Sequence, residues 1–273
     1  MRWSEGDFEA GDGLRLYEQS WLPEGEAKAR VVIIHGYGEH SARYQHVARA
    51  LVERGYAVHA FDLRGHGRSE GPRAFVKSVE TYVADARRFL SRLPSAPTFV
   101  LGHSMGGTIV ALGLITRALE ARGAVLSGAA LKARGGVARL FTPLVRLLGR
   151  LAPRLQLGKL SAERVSRDPA VVAAYENDPL VYHDGMRAGT ARALVNAVRE
   201  IERRMEEIEM PLLALHGTSD QLTEPDGSRR LYRQARSEDK TLRLYDDLYH
   251  EILNEPEQER VLADIVAWLE ART

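Results

Sequence analysis

Five short, almost wholly apolar runs constrain the fold more than any other feature: VVIIH (31–35), YAVHAFD (56–62), TFVLGH (98–103), AVLSG (124–128) and PLLALHG (211–217). Runs of this kind are strands buried on both faces, as in a parallel sheet. Between them lie helix-length patterns. Ser41 can cap RYQHVARALVERG with Gly55 as its stop, Ser78 can cap VETYVADARRFLSRL, and GTIVALGLITRALEARG runs to Gly123. Strand and helix alternate, which is the α/β class with a mostly parallel sheet flanked by helices. The segment from Arg15 to Trp21 differs: it alternates polar and apolar residues after the turn pair Asp12-Gly13, and reads as a half-exposed hairpin strand suited to a sheet edge.

From about Ala130 to Glu207 the alternation stops, and a helix-rich stretch intervenes before a strand at Pro211 resumes it. A chain of 273 residues accommodates one α/β core with one insertion. The expected organisation is therefore a core from 1–129 and 208–273, with a helical cap, or lid, over 130–207. Within the cap, Thr142 followed by Pro143 reads as a helix start. Leu140, Phe141, Leu144, Leu147, Leu148 and Leu151 fall on one helical face, and Arg139, Arg146, Arg150 and Arg154 on the other. Two readings fit: a cap helix packed on the body with a solvated arginine face, or a cationic amphipathic helix that rests on a membrane or micelle surface.

Composition removes several function classes. Lys and Arg number 38 against 37 Asp and Glu, so no global field draws in nucleic acid. Cysteine is absent, which excludes disulfides, a thiol nucleophile and thiolate metal sites. The opening MRWSEGDFEAGDG lacks an apolar core for a signal peptide, and nowhere do 18 apolar residues run together. These features point to a cytoplasmic protein, at most peripheral to a membrane.

The pattern Gly-x-Ser-x-Gly occurs twice, as Gly102-His103-Ser104-Met105-Gly106 and as Gly67-Arg68-Ser69-Glu70-Gly71. It carries chemistry only where it forms a sharp strand-to-helix turn that presents the hydroxyl at the carboxyl end of the sheet. Ser104 follows a strand and precedes a helix, so its side chain also meets a helix N-terminus that favours developing negative charge. Ser69 lies in a Gly- and Pro-rich loop with no helix behind it.

A serine needs a base, and after such an elbow the partners follow in the order acid, then histidine. His183, His216 and His250 come after Ser104. His183 falls in the cap and His216 precedes the acid candidates, so both read as structural; His250 lies in a loop between the last strand, TLRLYDD, and the final helix. Asp220, in the loop leaving PLLALHG, is the expected acid, with Asp226, Asp246 and Asp247 as rivals. The oxyanion needs two backbone donors: the N–H of Met105, next to the nucleophile, and that of Tyr37, set between glycines in His35-Gly36-Tyr37-Gly38-Glu39-His40. A histidine base predicts that activity falls away below about pH 6 to 7.

Taken together, His35-Gly-Tyr-Gly-Glu-His40, Asp62-Leu-Arg-Gly-His-Gly-Arg-Ser69, Gly102-His-Ser-Met-Gly-Gly107, His216-Gly-Thr-Ser-Asp220 and Tyr249-His250-Glu251 resemble the monoacylglycerol lipase and lysophospholipase family of serine α/β-hydrolases. The resemblance spans the chain from roughly Asp12 to the last helix. It implies an α/β-hydrolase sheet, a mobile cap and no cofactor or metal. It also implies hydrolysis of monoacylglycerols or similar single-chain lipid esters through an acyl-enzyme, with Ser104, Asp220 and His250 as triad and Tyr37 and Met105 as oxyanion donors. A lysophospholipase, a short-chain carboxylesterase, an acyltransferase or an aminopeptidase would use the same triad. The aminopeptidase reading requires Glu163, Glu176 or Asp178 to face the pocket. A binding module without turnover, the remaining class, would tend to lack a triad member.

Overall fold

The computed structural model describes residues 1–132 and 135–273, with side chains except for 135–141. Its elements run β1 (Arg2–Glu9), β2 (Arg15–Leu22), β3 (Ala29–Ile34), α1 (Gln45–Glu53), β4 (Tyr56–Phe61), α2 (Val79–Arg92), β5 (Thr98–His103), α3 (Met105–Ile115) and β6 (Gly123–Ser127). Helices α4 (Gly135–Leu151), α5 (Pro169–Asn177) and α6 (Ala188–Arg204) follow, then β7 (Leu212–Gly217), α7 (Pro225–Gln234), β8 (Lys240–Tyr245) and α8 (Gln258–Glu270). The strands form one sheet in the order β1-β2-β4-β3-β5-β6-β7-β8, parallel from β4 to β8 and antiparallel at β1 and β2.

The five apolar runs are these central strands, and their residues alternate between two cores. In β3, Val32 and Ile34 point to the face covered by α2, α3 and α6, while Val31 and Ile33 point to the face covered by α1 and α8. Each such aliphatic side chain, fully buried, contributes about 1.5–3 kcal/mol. Because β4 lies on one side of β3 and β5 on the other, the winding reverses at β3. In open α/β sheets, ligands bind in the crevice at the strand ends beside such a reversal. The loops after β3 and β5 leave from there.

Several elements differ from expectation. The strand from Arg15 is not the edge: β1 lies outside it, pairing along its whole length from Arg2 opposite Leu22 to Glu9 opposite Arg15. Seven of the eight residues of β1 are exposed, so it carries no apolar pattern to detect. Helix α3 stops at Ile115 rather than running to Gly123, because Arg117 takes a left-handed φ of 55° and Leu119 folds back onto Gly113. Ser41 is not a helix cap; its hydroxyl donates to Asp62 Oδ1 at 2.6 Å. Thr142-Pro143 does not start a helix, since α4 begins at Gly135 and carries Pro143 within it.

The packing of α4 also answers which face meets the body. It packs on α6 at Gly149, where an added Cβ would come within 2.5 Å of Ala188 O. Leu144, Leu147 and Leu151 are left 47%, 52% and 72% exposed. Arg146, Arg150 and Arg154 are exposed too, whereas the side chains of Arg139, Leu140 and Phe141 lie outside the described residues. Helix α6 turns Ala193, Ala197 and Ile201 into the main core.

Candidate active site

Ser104 alone makes the turn between β5 and α3, with φ 52° and ψ −115°. A non-glycine residue held there costs about 1–3 kcal/mol, which the surroundings must offset. They do so by packing α3 hard against the sheet: a Cβ on Gly106 would fall 2.0 Å from Ile34 O, and one on Gly102 would fall 2.5 Å from Gly106 O. The glycines of the motif thus allow the approach that forces the serine into its conformation. The Ser104 N–H donates to Ser127 O at 3.0 Å. The second copy of the motif is a turn whose buried serine is tied up, Ser69 Oγ donating to Asp62 O at 2.5 Å and accepting from the Tyr17 N–H at 2.9 Å.

Asp220 and His250 come together from the loops after β7 and β8, with His250 Nδ1 2.7 Å from Asp220 Oδ2. Asp220 Oδ1 accepts from the N–H groups of Leu222 and Thr223 at 2.7 and 2.9 Å, and Thr223 Oγ1 lies 2.7 Å from Oδ2. Burial alone would raise the Asp220 pKa, but the charge of His250 and hydrogen bonds from His216 and His250 hold it well below the usual carboxylate range. Burial would lower His250, yet Asp220's charge and hydrogen bond bring its pKa to rest above the usual 6.5. Ser104 and His250 line the same cavity without a hydrogen bond between them, a separation that is common before substrate binds.

The loop after β3 brings Tyr37 to the same cavity. Among the described residues the Tyr37 N–H has no acceptor, and Met105, as the first residue of α3, has no partner for its own N–H within the helix. The loop is fixed around these donors. His35 Nδ1 lies 2.7 Å from Gly36 O, and its Nε2 accepts from the Leu63 N–H at 2.9 Å, which sets the tautomer. Gly38 O accepts from the Tyr182 N–H at 2.7 Å, and His40 Nε2 lies 2.8 Å from Asp178 Oδ2. Both ties run to the segment between β6 and β7.

A buried charge cluster had no role assigned from sequence. Arg43 Nη1 donates to Glu39 Oε2 at 3.0 Å, and Arg43 donates to both oxygens of Glu251. Glu39 Oε1 accepts from the Gly36 N–H at 2.6 Å and from Tyr44 Oη at 2.8 Å. Although burial alone would raise the Glu39 pKa, Arg43 beside it brings it down to about 2. His103, packed on His250 with ring centroids 4.8 Å apart, is lowered to about 4 by burial and by His250's charge. The i,i+4 spacing of Glu39 and Arg43 was the available signal, but only the fold brings Glu251 to them.

The rival candidates lie elsewhere. Asp226 pairs with Lys132 at the surface, Asp246 and Asp247 are exposed, and exposed His183 contacts Asp178 O. None of Glu163, Glu176 and Asp178 lines the Ser104 cavity. Leu160, Val165, Met186, Leu194 and Leu222 give the cavity an apolar lining. No group of three or more His, Asp and Glu among the described residues is placed to hold a metal ion.

A family model described as serine aminopeptidase, S33, matches residues 25–257. The chain is 42% identical to a monoacylglycerol lipase of Mycolicibacterium smegmatis, over 97% of this chain and 96% of that one. It is 36% identical to the human monoglyceride lipase, over 96% and 89%. The crystal structure of a monoacylglycerol lipase from Paleococcus ferrophilus superposes with a TM-score of 0.82 at 32% identity, covering all of both chains. With sheet, elbow and sequence matching over nearly its whole length, the chain belongs to the monoacylglycerol lipase family of α/β-hydrolases, which are serine ester hydrolases.

Proposed function

We propose that the chain hydrolyses monoacylglycerols to glycerol and a fatty acid, with Ser104 as nucleophile, His250 as general base, Asp220 as its orienting acid, and the Tyr37 and Met105 N–H groups as oxyanion donors. The observation that carries the reading is the buried 2.7 Å contact between His250 and Asp220, opening on the cavity that holds the left-handed Ser104. Asp220 keeps the proton on His250 Nδ1, so Nε2 is the free base. His250 takes the Ser104 proton as Oγ attacks the ester carbonyl. The tetrahedral oxyanion is met by two N–H groups that have no other partner among the described residues, and collapse with proton return from His250 releases glycerol. Water, activated by the same histidine, then frees the acid.

The segment 130–207 acts in this reading as the cap, with Leu160, Val165, Met186 and Leu194 forming the acyl wall, while α6 also belongs to the core layer. The exposed leucines of α4, continued by Leu155 at 46% exposure, support contact with a lipid or micelle surface. No described helix is long and apolar enough to cross a membrane.

The test is kcat/KM of wild type and Ser104→Ala on monoacylglycerols of increasing chain length, a triacylglycerol, a lysophosphatidylcholine, a short p-nitrophenyl ester and an aminoacyl amide. Preference for monoacylglycerols, abolished in Ser104→Ala, is expected. Preference for another substrate would replace the substrate assignment, and absence of any turnover would favour a binding module.

A further inference from the structure

His216, at the end of β7, is fully buried and, beyond its hydrogen bond to Asp220, has no part in the reading above. Its Nδ1 lies 2.8 Å from the hydroxyl of Ser228, a buried residue of α7 with no other side-chain hydrogen bond. Its Nε2 lies 3.1 Å from Asp220 Oδ2 and 3.2 Å from Thr223 Oγ1. The carboxylate only accepts hydrogen bonds, so a bare Nε2 lone pair would face an anion at 3.1 Å with nothing to screen it. The proton therefore sits on Nε2, and Nδ1 accepts from Ser228. The Nε2–H lies between Asp220 Oδ2 and Thr223 Oγ1 and is shared by both, which leaves the threonine's single proton for Asp220 Oδ2 at 2.7 Å or Gly128 O at 2.9 Å.

We propose that His216 and Ser228 are positioning residues for the reaction, extending the line from Ser104 through His250 and Asp220 by two hydrogen bonds into helix α7. The inference rests on the triad reading. Ser228 fixes the His216 tautomer, His216 orders the Thr223 hydroxyl and places a donor beside Asp220, and the carboxylate's basicity is thereby held down. A less restrained Asp220 would bind the imidazolium proton of His250 more tightly and offer the imidazole in a less fixed orientation. The other groups facing His250 are His103 from the end of β5, Glu39 from the loop after β3, and its neighbour Glu251; the variants below leave all of them in place.

The experiment is the pH dependence of kcat/KM, with kcat, KM and Tm, for His216→Leu, His216→Gln, Ser228→Ala and Asp220→Asn. His216→Leu should lower kcat about tenfold, the worth of one hydrogen bond to a charged group, with KM little changed. Its acid limb should move to higher pH by roughly half a unit to one unit. Ser228→Ala should move the limb the same way by less, and His216→Gln, which keeps an N–H donor, should restore it. Should His216→Leu fail to fold, Ser228→Ala decides alone. A fall in activity or Tm with the limb unmoved shows that these residues only pack, and overturns the proposal, as does a wild-type profile in both. Asp220→Asn separates the two levels: its collapse alongside an unaffected His216→Leu defeats this inference alone, whereas a wild-type profile in Asp220→Asn defeats the triad reading and this inference with it.

Discussion

Arg43 donates to both oxygens of Glu251, at 2.6 and 2.8 Å, and so joins the loop after β3 to the residue that follows His250. Through the same guanidinium Glu39 is held, and through Glu39 the Gly36 N–H. Tyr175 of α5 lies over Arg43, 4.9 Å from guanidinium carbon to ring centroid. One cation thus fixes the spacing between the loop after β3 and the loop that carries His250.

Replacing that cation should damage both stability and catalysis. Arg43→Met leaves two buried carboxylates uncompensated, and breaking a buried pair from one side typically costs about 3–5 kcal/mol. A lowered Tm is expected, with kcat reduced more than KM is raised, since the loops drift without altering the apolar wall. Chemical denaturation and steady-state kinetics on the same preparation check it, and a wild-type Tm would count against the clamp.

The pH profile has a fixed sign. His250 must be neutral to take the serine proton, and Asp220 holds its pKa above the usual 6.5. Activity is therefore present above that raised value and lost as pH falls through it, so the acid limb of kcat/KM belongs at or above pH 6.5 rather than below. His103, already lowered to about 4, adds nothing in this range. Full activity retained at pH 5 would argue against a histidine base.

The elbow should not tolerate a methyl group. Gly106→Ala places a Cβ 2.0 Å from the Ile34 carbonyl oxygen, which is backbone and cannot rotate away. Either the protein is destabilised by several kcal/mol or α3 shifts and carries Ser104 and the Met105 N–H out of place. Thermal melts and labelling of Ser104 by an organophosphonate distinguish these outcomes.

Interfacial contact should reside in α4. The triple substitution Leu144→Gln, Leu147→Gln and Leu151→Gln removes exposed leucines without touching the Ser104 cavity. Binding to phospholipid vesicles in a flotation assay should weaken by an order of magnitude or more, given about 1.5–3 kcal/mol for each leucine buried, while hydrolysis of a water-soluble short ester is retained.

The central strands and the elbow were legible because both rest on local rules: uniform apolarity for a strand covered on two faces, and glycines flanking a serine between strand and helix. That Asp220 and His250 meet was legible through their order along the chain and their place at strand ends. What escaped depends on contacts distant in sequence. Glu251 meets Arg43 across more than two hundred residues, and the partners of His216, Ser228 and Thr223, become its neighbours only when α7 folds back on β7. Strand β1 escaped for the opposite reason, since an exposed edge imposes no pattern on its residues. Helix α4 was legible as amphipathic, but which face met the body was decided by Gly149, a small residue that no periodicity singles out.

The charges around the cavity bear on how the reaction ends. Glu39, Glu251 and Asp220 bring three carboxylates against the single guanidinium of Arg43, so with His250 neutral the site carries two negative charges. A neutral ester enters such a field without penalty. In the proposed reaction the carboxylate released by hydrolysis adds a further negative charge to it, and like charges in a poorly screened site repel. The field of the site therefore sets the substrate and product of the proposed reaction apart by charge, holding the uncharged molecule more readily than the charged one made from it.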